Sequence, residues 1–267
     1  ERNSMSVLVC VCLLIIILNG SSITHWNTDS SVLPYEAQCI IGGYNHLRGY
    51  GVIIGGKTLT NKVHEYIYNF TINSKDANNI VINFEDTNEF LPEASYSCNG
   101  PLSTILDERI YYVNENNEGH MLTSIPMKSP FKVQEEVKLP QGLYCSREYE
   151  SMCLTSDNKR TLYLVCASEL YYYDIHNSRN WEPLPTAKYN HISGTCKYVN
   201  DRVYVISGQN DCYVEYYDIK AKRWHNIGCL NDKTYVSNTL SMYDRNGNVF
   251  VLGGKHYNNS NSTKYSV

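Results

Sequence analysis

The sequence predicts an all-β protein assembled from repeated units of four short strands. Three observations lead there. The 267-residue chain holds 24 Tyr but only 5 Phe, and is 42% hydrophobic and 19% charged. That composition favours pleated surfaces, where aromatic side chains pack well, over disorder. Short apolar runs alternate with Asp, Asn and Gly turns, the pattern of hairpins. Finally, Tyr173-Asp174 and Tyr217-Asp218 lie 44 residues apart, and Trp181 and Trp224 lie 43 apart, in a chain with only three Trp. A fixed period of this length marks a repeat architecture. The 23 Lys plus Arg against 27 Asp plus Glu give a net charge of −4, with no basic block, which speaks against a nucleic-acid partner.

At the N-terminus, Val7 to Leu18 is an apolar block, shorter than the roughly 20 residues that a membrane-spanning helix needs. No integral membrane anchor is expected from it. The block fits the apolar core of a secretory signal peptide over residues 1–22, with Asn19-Gly20-Ser21-Ser22 as the cleavage region. Its one basic residue, Arg2, precedes Met5, so a buried strand, or sequence foreign to the mature protein, stands as the alternative. A genuine signal makes the protein secreted or luminal; otherwise it is cytoplasmic. Asn69, Asn258 and Asn261 head glycosylation patterns, although so Asn-rich a chain generates such matches by chance. Removing Cys10 and Cys12 with a signal leaves eight of the ten cysteines, an even set whose spacing implies no pairing. No Cys/His cluster has zinc-site spacing. Cys166 and Cys196 lie in strand-like runs and read as buried free thiols.

The repeat occupies residues 35–267, with units starting near residues 37, 95, 147, 191 and 237. In the first, Val52-Ile53-Ile54 runs into Gly55-Gly56, and Tyr66 or Tyr68 follows. The second, the most degenerate, turns at Asp107-Glu108 into Arg109-Ile110-Tyr111-Tyr112-Val113. The third joins an Asp157 to Arg160 turn to a strand ending at Val165, then Cys166-Ala167, Tyr173-Asp174 and Trp181. The fourth is the clearest, with Asn200-Asp201, the strand from Val203 to Gly208, Tyr217-Asp218 and Trp224. The fifth runs from Asn248 into Gly253-Gly254. Each unit thus reads as one strand before a turn, one ending in Gly, one ending in Tyr-Asp and one around Trp.

These residues resemble the kelch repeat, which combines an apolar strand ending in Gly-Gly with a later Tyr and Trp. The resemblance covers most of Tyr35 to Val267 and is strongest from about Tyr144 onward. Ser207 stands at the first Gly of the pair, and Cys166-Ala167 replaces both in the third unit. The resemblance implies a kelch-type β-propeller of four-stranded antiparallel blades around a channel. The Gly pair would let the backbone pass closely, with Tyr and Trp packed between blades. About five units, the last unfinished, fall short of the six-bladed closure common in that family. A fragment is therefore expected, with a five-bladed ring as the alternative.

The implied function is a non-catalytic interaction module that binds an unidentified protein through loops at one channel mouth. Those loops are Gln209-Asn210-Asp211, Lys255-His256-Tyr257, Lys188-Tyr189-Asn190, and the stretch holding Tyr144 and Arg147. Two other settings are compatible with the resemblance: a fragment of a BTB-kelch ubiquitin-ligase substrate adaptor, and a galactose-oxidase-like copper enzyme. The enzyme is disfavoured because the His residues are scattered and the Tyr residues recur at repeat positions. No catalytic residue, metal or cofactor is expected, since neither a nucleophile elbow nor a phosphate-binding loop occurs. His191, at the entry to an inner strand, reads as a partly exposed strand-edge residue, with a place at the channel mouth as the alternative.

Overall fold

The computed structural model describes residues 41–45, 48–55, 66–76, 79–90, 103–116, 119–143, 152–208, 211–230, 235–237, 240–243, 247–252, 255–257 and 263–265. Among these residues there is no helix. Four successive stretches each form a four-stranded antiparallel sheet in which neighbours in sequence are neighbours in space. The first holds β1 (Ile41–Asn45), β2 (Tyr50–Ile54), β3 (Tyr66–Asp76) and β4 (Asn79–Phe90). The second holds β5 (Ser103–Leu106), β6 (Arg109–Asn116), β7 (Gly119–Pro126) and β8 (Gln134–Lys138). The third comprises β9 (Met152–Ser156), β10 (Thr161–Cys166), β11 (Glu169–Asp174) and β12 (Glu182–Leu184). The fourth comprises β13 (Thr195–Val199), β14 (Arg202–Ile206), β15 (Tyr213–Asp218) and β16 (Arg223–Cys229).

The fourth sheet starts at Thr195 rather than near residue 191, because His191 to Gly194 form a turn closed by the Gly194 amide on the His191 carbonyl at 2.9 Å. The expected starts near residues 37, 95 and 147 lie outside the described residues, as do the signal segment 1–22, Gly56, Gly253 and Gly254. In the fifth unit, β17 (Tyr235–Ser237) pairs with β20 (Lys255–Tyr257), and β18 (Leu240–Tyr243) with β19 (Val249–Leu252). Tyr235 pairs with Tyr257 and Leu240 with Leu252, so the two pairings share one register. A third strand, β21 (Thr263–Tyr265), adds to β20.

The sheets stack face to face, and alternation along each strand decides what fills the gaps. Ile110 and Tyr112 of β6 join Val52, Ile54 and Ile67 of the first sheet. Their neighbours Tyr111 and Val113 point the other way, into a core shared with Leu162, Leu164 and Trp181 of the third. Tyr163 and Val165 of β10 meet Val203, Val205 and Tyr217 of the fourth sheet. Strands buried on both faces need apolar side chains at every position, which accounts for continuous runs such as Leu162 to Cys166. The first strands β1, β5, β9, β13 and β18 lie side by side in chain order.

Turn chemistry fits this arrangement. Asp107 and Glu108, and likewise Asn200 and Asp201, all have positive φ, as the two-residue hairpin turn between twisted strands requires. Gly55, Ala167 and Ser207 follow β2, β10 and β14 at equivalent places, with φ of 60°, 55° and 52°. The residue pair in the third sheet that corresponds to Gly55-Gly56 is therefore Ala167-Ser168, one position later than the sequence pattern suggests.

Two cysteine assignments change. Cys196 is not a free thiol: it is bonded to Cys153, with Cα atoms 5.8 Å apart. The two occupy matching positions on the adjacent first strands β9 and β13, and their separation of 43 residues is one repeat. Cys166 is disulfide-bonded too. A further bridge joins Cys212 to Cys229, with Cα atoms 4.9 Å apart.

Two outcomes test this packing. Replacing Cys153 and Cys196 together by Ser should lower unfolding free energy by about 4 kcal/mol in the chain-entropy account of a loop this long, read by denaturant titration under non-reducing conditions. Burial pushes the phenol of Tyr112 up to about 12, against about 10 in an unfolded chain. Its contribution to stability is thus complete below pH 10 and is lost as the pH rises towards 12. Tyr112→Phe should flatten the alkaline fall in stability measured over that window.

Candidate functional site

Antiparallel alternation brings the start of β13, the end of β14, the start of β15 and the end of β16 to one end of the fourth sheet. Thr195 pairs with Ile206, Ile206 with Val214, and Val214 with Gly228. Two connections converge there: the segment after β12 that carries Lys188, Tyr189 and Asn190, and the loop from Ser207 to Tyr213. The Tyr189 and Tyr213 rings stack with centroids 3.8 Å apart and planes 12° apart. The Lys188 ammonium lies 5.0 Å from the Tyr189 ring centroid, and the Asn226 side-chain amide donates to the Tyr189 hydroxyl at 3.3 Å.

Beneath this aromatic pair sits a buried histidine–glutamate contact. Glu215 Oε2 accepts from the Tyr189 amide at 3.0 Å and lies 3.3 Å from His191 Nε2. His191 Nδ1 donates to the Ser207 carbonyl at 2.9 Å. His191 is 2% exposed and Glu215 1%. Both ring nitrogens of His191 thus have a polar partner. His191 is therefore neither a strand-edge residue open to water nor a side chain lining a mouth; it locks one connection to the other.

The surrounding backbone is equally tied. The Ala187 and His191 amides donate to the Ser168 and Ala167 carbonyls of the third sheet, and the Trp224 indole donates to the Pro185 carbonyl at 2.6 Å. Gly208 is needed for close approach, since a Cβ there would lie 2.8 Å from the Ile192 carbonyl oxygen. In the loop, the Ser207 hydroxyl donates to the Asp211 carbonyl and the Tyr213 amide to Asp211 Oδ1, each at 2.9 Å. The hydrogen bond with Tyr189 raises the pKa of the Tyr213 phenol, and Tyr189 likewise raises that of the Lys188 ammonium.

Of the predicted loop residues, the fold thus brings Lys188, Tyr189, Asn190 and Asp211 to one end of one sheet. Lys255, His256 and Tyr257 form strand β20 rather than a loop. Gln209, Asn210, Tyr144 and Arg147 lie outside the described residues, as do Asn258 and Asn261. Asn69 sits half-buried in the middle of β3, between its partners Val52 and Glu85, a poor position for a glycan.

Among the repeat positions, Tyr173 and Trp181 have ring centroids 5.4 Å apart, and Tyr217 and Trp224 5.5 Å. Asp174 accepts from the His176 and Asn177 amides, and Asp218 from the Ala221 amide. The Ala221 amide foremost holds the Asp218 carboxyl below its ordinary range. For Asp174, burial opposes the charge, but the His176 and Asn177 hydrogen bonds and Arg160 together outweigh it. Sequence reading missed Glu215, Tyr213 and Asn226. Glu215 carried a signal: it is the one carboxylate flanked on both sides by the apolar run of Tyr213 to Tyr217.

Chemically, the arrangement offers a half-exposed aromatic pair with an ammonium and an amide at its rim, held on a fully bonded base. Among the described residues, no three His, Cys, Asp or Glu side chains form a group able to hold a metal ion. Nor is any helix there long and apolar enough to cross a membrane. No protein-family model matches the chain, and no curated protein matches it.

The buried pair makes a measurable claim. Glu215→Ala should destabilise the protein by about 3 kcal/mol in denaturant titration, the cost of stranding one partner of a buried pair. Glu215→Gln keeps an acceptor for the Tyr189 amide and should cost clearly less.

Proposed function

We propose that the stacked sheets are blades of a kelch-type β-propeller, and that the chain is a non-catalytic protein–protein interaction module. The reading rests chiefly on one observation: two connections from different sheets converge on the Tyr189–Tyr213 stack, with Lys188 and Asn226 beside it. Tyrosine offers large contact area at small entropic cost, and a braced backbone reduces what must be ordered on docking. The repeat tyrosines Tyr173 and Tyr217 support the blade reading, because each packs on a Trp in a core between sheets.

Of the two settings, the disulfides favour the exported one. Cys153–Cys196 and Cys212–Cys229 are of a kind that persists in oxidising compartments and is rare in the cytosol, where a BTB-kelch adaptor would act. The protein is thus read as secreted or luminal, with an extracellular or luminal protein as its partner.

The test is a comparison of immobilised wild type with the Lys188→Glu/Tyr189→Ala variant against secretory-pathway and culture-medium proteins. A specific protein should bind the wild type and be lost at least tenfold with the variant, while both unfold at similar denaturant concentrations. Equal retention of that protein by a folded variant would remove the site from consideration.

A further inference from the structure

Two of the disulfides, Cys153–Cys196 and Cys212–Cys229, differ in their access to solvent and in what they hold. Cys153 and Cys196 are each 3% exposed and join first strands in the interior. Cys229, by contrast, is an exposed residue at the end of the edge strand β16, while Cys212 is 5% exposed. Cys212 directly precedes Tyr213, whose ring forms half of the aromatic stack. Its bridge fastens the Ser207 to Tyr213 loop to the edge strand. Other fastenings include the Ser207 amide on the Tyr213 carbonyl and the Leu230 amide on the Cys212 carbonyl, both at 2.8 Å, the Tyr213–Cys229 strand pairing, and the Asp211 and His191 contacts already described.

We infer that Cys212–Cys229 is a reducible clasp that sets the rigidity of the Tyr189–Tyr213 surface, whereas Cys153–Cys196 is a permanent staple. The inference rests on the docking reading only for its functional consequence. Thiol–disulfide exchange requires a thiolate to reach a sulfur, so access selects the bond that reacts. A dithiol reductant attacks Cys229 Sγ and forms a mixed disulfide with it, and Cys212 leaves as a thiolate. The second thiol of the reductant then attacks that mixed disulfide, releasing Cys229 and leaving the reductant as a cyclic disulfide. Two electrons pass from reductant to protein, and the Cys212 and Cys229 thiolates each take up a proton given up by the reductant's two thiols. The segment ahead of Tyr213 then loses its covalent tie to β16, and the Tyr213 ring loses its fixed seat opposite Tyr189.

The experiment exposes the folded full chain to graded dithiothreitol, quenches by alkylation and maps each cysteine by mass spectrometry. Hydrogen exchange at the Ser207, Tyr213 and Leu230 amides is followed in parallel. Cys212 and Cys229 should be alkylated at a dithiothreitol concentration at least tenfold below that needed for Cys153 and Cys196, and exchange at the three amides should speed up at least tenfold while β9 to β11 stay protected. The Cys212→Ser/Cys229→Ser variant should show the fast exchange without reductant. Reduction of the inner pair first or at the same concentration, or loop exchange unchanged by reduction and in the variant, overturns the clasp. Partner capture is a separate readout: a working clasp with no captured protein defeats the docking reading alone, and a captured protein with no selective reduction defeats the clasp alone.

Discussion

Each sheet in the middle of the stack has two faces, and both must be kept from water. In the second and third sheets, alternate residues of a single strand serve different cores: Tyr111 and Val113 on one side of β6, Ile110 and Tyr112 on the other. Because side-chain direction has a period of two, a one-residue slip would exchange the two sets and put each against the wrong neighbour. Register is therefore fixed from both sides at once. The tight turns at Asp107-Glu108 and Asn200-Asp201, where positive φ is held by residues other than Gly, follow from that demand; the packing accepts local backbone strain to keep the strands in phase.

The period of the architecture was readable because Tyr-Asp and Trp recur in phase, and these residues occupy large volumes between sheets where substitution is costly. Details that depend on contacts across the repeat were not. Cys153 and Cys196 share the period of the two tryptophans, so they occupy matching positions of adjacent first strands and can bond; judged by its surroundings along the chain, Cys196 reads as an ordinary small hydrophobe. Ala167 was aligned one residue too early because the pattern sought glycine, while the backbone requires only a positive φ. Lys255 to Tyr257 read as a loop because glycines precede them, yet the hairpin register continues across that point. Half of the candidate site was legible as connections rich in Tyr, Lys and Asn. Its base was hidden, since a lone Glu215 in a strand reveals its role only when His191, distant in sequence, is found beside it.

The site illustrates how a strand scaffold makes loops exact without making them regular. Glu215 reaches out of β15 to hold the backbone of the preceding connection, and His191 reaches out of that connection to hold the end of β14. Each element is fixed by a side chain of another. Polar groups so deeply buried stabilise little as a pair, but they are intolerant of any geometry that leaves one unpaired. The aromatic pair above them inherits that intolerance as positional definition.

The Cys153–Cys196 bond has a mechanical meaning as well. It spans one repeat between two adjacent strands, so the third sheet lies almost wholly inside a covalent ring. A pulling force applied to the two ends of the chain would pass from β9 to β13 through sulfur and bypass β11 and β12. Under tension, the extensible length of the protein is shorter by that ring, and these two strands are shielded from load while neighbouring sheets unravel.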